Sequence, residues 1–388
     1  MFVTPVAMDD GRTVSYYDFA TRYSAPPLLS IHTEAARQHP PGGPRTLPHA
    51  SEMRWNPVLG EWVVYAAHRM TRPQLPSKEA CPLCPGILEL PLPYQIAIFE
   101  NRAPALSYVP GDSALLVDPH RSPTQSVFEL TAPGRGRCDI VVYDQEHEGK
   151  LTQMPVNHVS CLIEAWRDRY AQLIALPEVR CASICENKGR DAGMTLDHPH
   201  GQIFAFPFLP PYVQRQWDQT VAFSGRADGL WEQIVAKEER DGVRIIAETE
   251  GFLAVQPFYA RYPYEVHIFA RRHGVNSLLE MTPEERRQLA GIYKNIVTRY
   301  ENLWPEPAYG FPTLMVMHQL SGMQGVERYR FHIELYPLQR SPDKLKYRAS
   351  IESGAGTFLN DALPETQAAE LRAALPHEVE LPDITFET

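Results

Sequence analysis

The chain has 388 residues, 44% hydrophobic and 22% charged, and a net charge of −10 at pH 7, a size that favours two subdomains or one duplicated fold over a single core. The acidic balance argues against nucleic acid or anionic membrane as the main partner, since either favours a basic face, while local basic spots for a small phosphate ligand stay open. No segment approaches the roughly 20 apolar residues of a membrane span, and Met1 to Ser30 lacks the basic start and apolar core of a signal peptide, so a cytoplasmic protein is expected.

Residues 1–48 end in the Pro-rich run His39-Pro40-Pro41-Gly42-Gly43-Pro44 and read as an N-terminal extension. The 36 prolines of the chain are about twice the usual share and favour short strands and turns over long helical bundles. After the turn Asn56-Pro57-Val58-Leu59-Gly60, Trp62-Val63-Val64-Tyr65 is predicted to be a strand. Arg69 and Arg72 follow it directly, and arginines at a strand end can grip phosphate oxygens bidentately.

Cys81-Pro82-Leu83-Cys84-Pro85-Gly86 is a CxxC knuckle. Six cysteines are too few for a disulfide scaffold, so in a reducing compartment the pair reads as metal or redox chemistry. A thioredoxin-type pair wants a helix N-terminus, whereas the Pro-rich surroundings suggest a loop, and metal is the favoured reading. There is no second CxxC, so distant histidines would complete the set, with His147 and His198 as candidates.

Asp139 to Tyr143 is predicted to be a strand, and Val156 to Leu176, with apolar residues at helical spacing, a helix. Gly189, Gly193 and Met194-Thr195-Leu196-Asp197 form a small-residue loop whose amides could meet phosphate oxygens. His198-Pro199-His200-Gly201-Gln202 then leads into Ile203-Phe204-Ala205-Phe206. In an extended strand, positions i and i+2 share a face, so both imidazoles and the Gln202 amide are expected to line one surface. An imidazole there can ligate a metal, act as general base or attack phosphorus.

The second half repeats the order. Glu265 to Phe269 reads as a strand, Arg271-Arg272-His273 follows, Met281-Thr282-Pro283-Glu284-Glu285 opens a helix through Leu303, and His332-Ile333-Glu334 ends the unit where His198-Pro199-His200 ends the first. A strand, a helix and a returning His-containing strand, twice over, imply an α+β protein with two related halves, 49–215 and 216–388.

Asn56-Pro57 with its strand, Arg69 and Arg72, the CxxC, Glu186-Asn187-Lys188-Gly189 and the HPHGQ run together closely resemble the galactose-1-phosphate uridylyltransferase family of the histidine triad superfamily, over Arg54 to about Leu375. The resemblance implies a duplicated histidine-triad-like fold, a twisted antiparallel sheet or half-barrel with flanking helices. It implies a ping-pong exchange in which UDP-glucose gives UMP to a histidine, glucose 1-phosphate leaves, and galactose 1-phosphate takes the UMP to give UDP-galactose. His200 would be the nucleophile and Gln202 its partner at the phosphoryl oxygen. Cys81, Cys84, His147 and His198 would form a zinc site. Arg69, Arg72, Asn101, Asn187, Gly193, Thr195 and Gln202 would contact nucleotide sugar or hexose phosphate. Lys346 and Glu352 would help bind the sugar, with the lysine reaching into the partner's site in a homodimer.

The chain departs from the family pattern in several places. The second, structural metal of some members would here have His318, His332 and Glu334, with Gln216 where a glutamate is common; carboxylate and imidazole suit iron or zinc, and the neutral amide weakens the set. Met194, Ile351 and Arg102 also replace common residues, which bears on hexose and base preference. The competing readings are a nucleotide-sugar or dinucleoside polyphosphate phosphorylase on the same scaffold, and a nucleotide-binding protein without turnover.

Overall fold

The computed structural model describes residues 1–19, 34, 51–71, 76–87, 89–107, 128–225, 229–305, 310–376, 378–384 and 386. The chain divides into two compact units that alternate along the sequence: the first holds Met1–His147, Arg169–Ser183 and His198–Arg215, the second Glu148–Asp168, Ile184–Asp197 and Gln216–Thr388.

In the first unit, β1 (Phe2–Ala7), β2 (Thr13–Asp18), β5 (Ile96–Glu100), β7 (Arg137–Val142) and β9 (His200–Phe206) lie in that order, each antiparallel to its neighbours. The described start of the expected N-terminal extension is therefore part of this sheet: β1 and β2 form a hairpin around Asp10-Gly11, and β2 pairs β5 from Val14↔Phe99 to Tyr17↔Ile96. Gly11, at φ 81°, supplies the left-handed turn residue that such a tight reversal needs.

A second, three-stranded antiparallel sheet carries β3 (Glu52–Asn56) between β4 (Glu61–Tyr65) and β6 (Thr131–Pro133). Met53 and Ala132 from it pack with Leu106, Cys138 and the partly buried Phe204, Phe206 and Phe208. These apolar contacts partly cover the C-terminal part of one face of β9, and the N-terminal part of the same face carries His200 and Gln202.

In the second unit, Cys185–Lys188 of β8 (Cys181–Lys188) pairs β13 (Thr313–His318), followed by β14 (His332–Pro337), β12 (Val266–Ala270), β11 (Phe252–Val255) and β10 (Ile245–Glu248), all antiparallel. Every residue of β11 and β12 is buried, as their near-continuous apolar runs require.

Five longer helices complete the described fold: α1 (Val156–Ile174), α2 (Pro211–Ala222), α3 (Leu230–Asp241), α4 (Pro283–Asn302) and α5 (Pro364–Ala373). The start of α4 is written in the sequence: the Glu285 amide donates to Thr282 Oγ1 at 3.1 Å, the Thr282 amide donates to Glu285 Oε2 at 2.8 Å, and Pro283 takes the first helical position, which satisfies two otherwise unpaired donors.

The order strand, helix, strand, strand occurs twice, as β7–α1–β8–β9 and β12–α4–β13–β14. The registers correspond as well: His200 opens β9 opposite Val142 of β7, and His332 opens β14 opposite Phe269 of β12. No described helix is long and apolar enough to cross a membrane.

Candidate active site and metal centre

The CxxC segment is a tight turn in which the Cys84 amide donates to the Cys81 carbonyl at 3.3 Å, and Gly86, at φ 77°, lets the chain reverse so that its amide donates to Leu90 O at 2.8 Å. Both thiols are free. Cys84 Sγ lies 3.5 Å from His147 Nδ1 and 3.6 Å from His198 Nδ1, and Cys81 Sγ lies 3.8 Å from His198 Nδ1. A tetrahedral site with the usual Zn–S and Zn–N bond lengths has donor-to-donor edges of roughly 3.4–3.8 Å. The four donors fit that group.

The electrostatics point the same way. Burial, then the neighbouring Cys81, pushes the Cys84 thiol up to about 11, so a thiolate at this position needs a cation beside it. Burial pushes His198 down to about 4, leaving a neutral imidazole. His198 is fully enclosed at 0% exposure, and its Nε2 lies 2.7 Å from the Asp144 carbonyl oxygen, which accepts the ring proton and leaves Nδ1 as the donor atom facing the cysteines.

The expectation that both imidazoles share a strand face is corrected by the register. β9 starts at His200, and His198 sits in the preceding bend. Only His200, Gln202, Phe204 and Phe206 alternate onto the partly exposed face, while Gly201, Ile203 and Ala205 are buried. The bend turns His198 to the cysteines, and Pro199 fixes it: the Tyr143 amide donates to Pro199 O at 3.1 Å.

His200 Nδ1 lies 2.7 Å from the His198 carbonyl oxygen. Carbonyl oxygen accepts only, so Nδ1 carries the proton and Nε2 the lone pair. Burial holds the His200 imidazole below its ordinary range, which keeps it neutral and able to attack an electrophile.

Of the other candidate residues, the first unit holds Arg69, in the 3₁₀ turn Ala67–Thr71, and Asn101, just after β5. His68 Nε2 donates to Pro104 O at 3.1 Å, and Asn101 Oδ1 accepts from the Ala103 amide at 2.9 Å, so the turn and the loop are tied together. Arg72 lies outside the described residues. Arg102 is paired with the buried Glu89 at 2.7 Å.

The second unit holds Asn187 near the end of β8 and the loop with Gly193 and Thr195. Gly193, at φ 81°, has the Asn187 amide nitrogen 3.9 Å from where a Cβ would stand. Lys346 and Glu352 form an ion pair at 3.1 Å, and Lys346 Nζ also donates to Leu359 O at 2.6 Å.

His318, His332 and Glu334 converge in the second unit. His318 Nε2 is 3.4 Å and His332 Nε2 3.3 Å from opposite oxygens of Glu334, and the two rings stack at 4.7 Å. The site holds more than was read from the sequence. Arg261 Nη2 donates to Glu334 Oε2 at 3.0 Å, Gln216 Nε2 lies 3.2 Å from His332 Nε2, and His267 donates to Glu265 at 2.8 Å with Glu334 3.9 Å away. As arranged, the Gln216 amide meets the His332 lone pair and Arg261 meets the Glu334 charge, while both ring nitrogens of His318 lack a hydrogen-bond partner and the three side chains lie close enough together to hold a metal ion. Glu265 and His267 alternate along a strand legible in the sequence, and that period-two spacing could have signalled their shared face.

Two family profiles match the chain: "Galactose-1-phosphate uridyl transferase, N-terminal domain" over residues 44–210 and "Galactose-1-phosphate uridyl transferase, C-terminal domain" over residues 215–385. A galactose-1-phosphate uridylyltransferase of Thermotoga maritima is 38% identical over 329 residues, covering 83% of this chain and 98% of that protein. A solved uridylyltransferase superposes with a TM-score of 0.71 at 29% identity, over 83% of this chain and 98% of that one. An ADP-glucose phosphorylase from Arabidopsis thaliana, at TM-score 0.60 and 22% identity over 83% of this chain and 98% of that one, shares the fold.

Proposed function

The chain belongs to the galactose-1-phosphate uridylyltransferase family, and from that premise we propose that it exchanges UMP between UDP-glucose and galactose 1-phosphate through a uridylylated His200. The observation that carries this reading is the His200 Nδ1 to His198 O hydrogen bond of 2.7 Å, which leaves a neutral Nε2 lone pair as nucleophile. Nε2 attacks the α-phosphorus of UDP-glucose. An N–P bond forms as the bond from that phosphorus to the bridging oxygen breaks, and glucose 1-phosphate leaves with the electron pair. A phosphate oxygen of galactose 1-phosphate then attacks the same phosphorus, the N–P bond breaks, and UDP-galactose forms with neutral His200 restored.

During the first step positive charge develops on the imidazole. The Nδ1–H bond to the His198 carbonyl, which is fixed in place throughout, strengthens as that charge grows and stabilises the intermediate. Gln202 lies on the same face of β9 two residues on, and its amide is read as a donor to the phosphoryl oxygen. Two displacements at one phosphorus give retained configuration and ping-pong kinetics.

Cys81, Cys84, His147 and His198 are read as holding zinc; when bound, a closed four-coordinate zinc supplies bracing for the knuckle and the bend before β9. Arg69, Arg72, Asn101, Asn187, Gly193 and Thr195 are read as contacts to nucleotide sugar or hexose phosphate, supported by the guanidinium match to phosphate and by the left-handed glycine that opens backbone amides to a ligand. Lys346 and Glu352 are read as sugar contacts in a cytoplasmic homodimer. The reading is tested by isotope exchange: labelled glucose 1-phosphate should enter UDP-glucose without galactose 1-phosphate present. No exchange under those conditions would contradict a uridylylated intermediate.

A further inference from the structure

Tyr94, two residues before β5, is 1% exposed, and its hydroxyl reaches two parts of the metal centre at once. It donates to the carbonyl oxygen of Leu83, inside the CxxC turn, at 2.6 Å. The same oxygen lies 3.1 Å from His198 Nε2. A hydroxyl has one proton, and here Leu83 receives it. At His198 the phenol oxygen therefore accepts, and Nε2 must carry the proton, which it shares with the Asp144 carbonyl at 2.7 Å.

We propose that Tyr94 is a positioning residue that, together with the Asp144 carbonyl, holds the Nε2–H tautomer of His198 and, alone of the two, ties the CxxC turn to the bend before His200. With Nε2 protonated, the Nδ1 lone pair is committed to the space between Cys81 and Cys84. The backbone of His198 then presents its carbonyl to His200 Nδ1, so the phenol acts on the nucleophile through the metal ligand. Partners of a ligand's second ring nitrogen govern metal affinity in this way, and their loss weakens binding about 10–100-fold. A buried tyrosine present only for packing would instead stabilise the chain equally with and without metal.

The inference rests on the reading of Cys81, Cys84, His147 and His198 as a zinc site, and the test separates the two. Zinc affinity of the full chain and of Tyr94→Phe is measured by competition with a chromophoric chelator, alongside thermal unfolding of both metal-free forms. The expected result is zinc binding weakened about 10–100-fold with matching metal-free midpoints. Equal affinities overturn the inference, as does a weakening matched by equal destabilisation of the metal-free form. A wild-type chain that binds no zinc removes the metal reading itself. Should the variant not fold, ¹⁵N NMR of the zinc-loaded wild type decides: His198 ligated through Nδ1 with Nε2 protonated supports the inference, and ligation through Nε2 overturns it.

Discussion

His198 and His200 divide the labour of the HPH run through a single hydrogen bond: the carbonyl oxygen of the first accepts from Nδ1 of the second at 2.7 Å, while the imidazole of the first faces Cys81 and Cys84. The ring that is buried among sulfur donors cannot attack, and the ring held by its neighbour's backbone can.

Replacing His200 by glycine should abolish UMP transfer, by on the order of 10⁴-fold or more, because no other nucleophile occupies that position on β9. Binding of UDP-glucose, measured by calorimetry, should persist, since the fold and the proposed contacts are untouched. A variant with more than a tenth of the wild-type rate would contradict the assignment.

Metal analysis of the purified chain should give about one zinc per protomer. Cys84→Ser should release it and lower the unfolding midpoint, because binding free energy at a structural site is also folding free energy. Two metals per chain would mean that Arg261 and Gln216 yield the second cluster to an ion.

Glu334→Gln should cost about 3 kcal/mol in denaturant unfolding, since it leaves Arg261 without the buried carboxylate at 3.0 Å. UMP transfer by the folded variant should stay near the wild-type rate. A large loss of rate with unchanged stability would place this cluster in the chemistry.

Asp139 sits on β7 with Arg169 Nε at 2.7 Å and Arg137 Nε at 3.4 Å. Burial alone would raise its carboxyl, but the two guanidiniums prevail and hold it below the ordinary carboxylate range. A group depressed by folding stabilises the native state above its unfolded pKa and loses that contribution as pH falls through the folded one. Asp139→Asn should therefore cost about 3 kcal/mol at pH 7, and the gap to the wild type should close only below about pH 4. A gap that is constant with pH would show that charge is not the cause.

Much of this architecture is legible in local sequence. The Thr282/Glu285 box, the apolar spacing along Val156–Ile174 and the Cys81–Cys84 turn each depend on residues a few positions apart, and short-range geometry sets them. The β1–β2 hairpin carried a readable signal as well, Asp10-Gly11 between alternating segments, which the Pro-rich run that follows obscures. What could not be read depends on register between distant strands. His267 meets Glu334 only because β12 pairs β14 at that position, Arg261 reaches Glu334 over 73 residues, and the turn of His198 out of β9 follows from where Val142 ends the pairing of β7 with β9 at His200.

The central claim is a covalent UMP on His200. Incubating the chain with UDP-glucose alone, then mapping the protein by mass spectrometry under conditions that preserve phosphoramidates, should find one UMP per chain on the peptide containing His200, discharged by galactose 1-phosphate as UDP-galactose. Absence of the adduct, or an adduct formed only with ADP-glucose, would contradict the account.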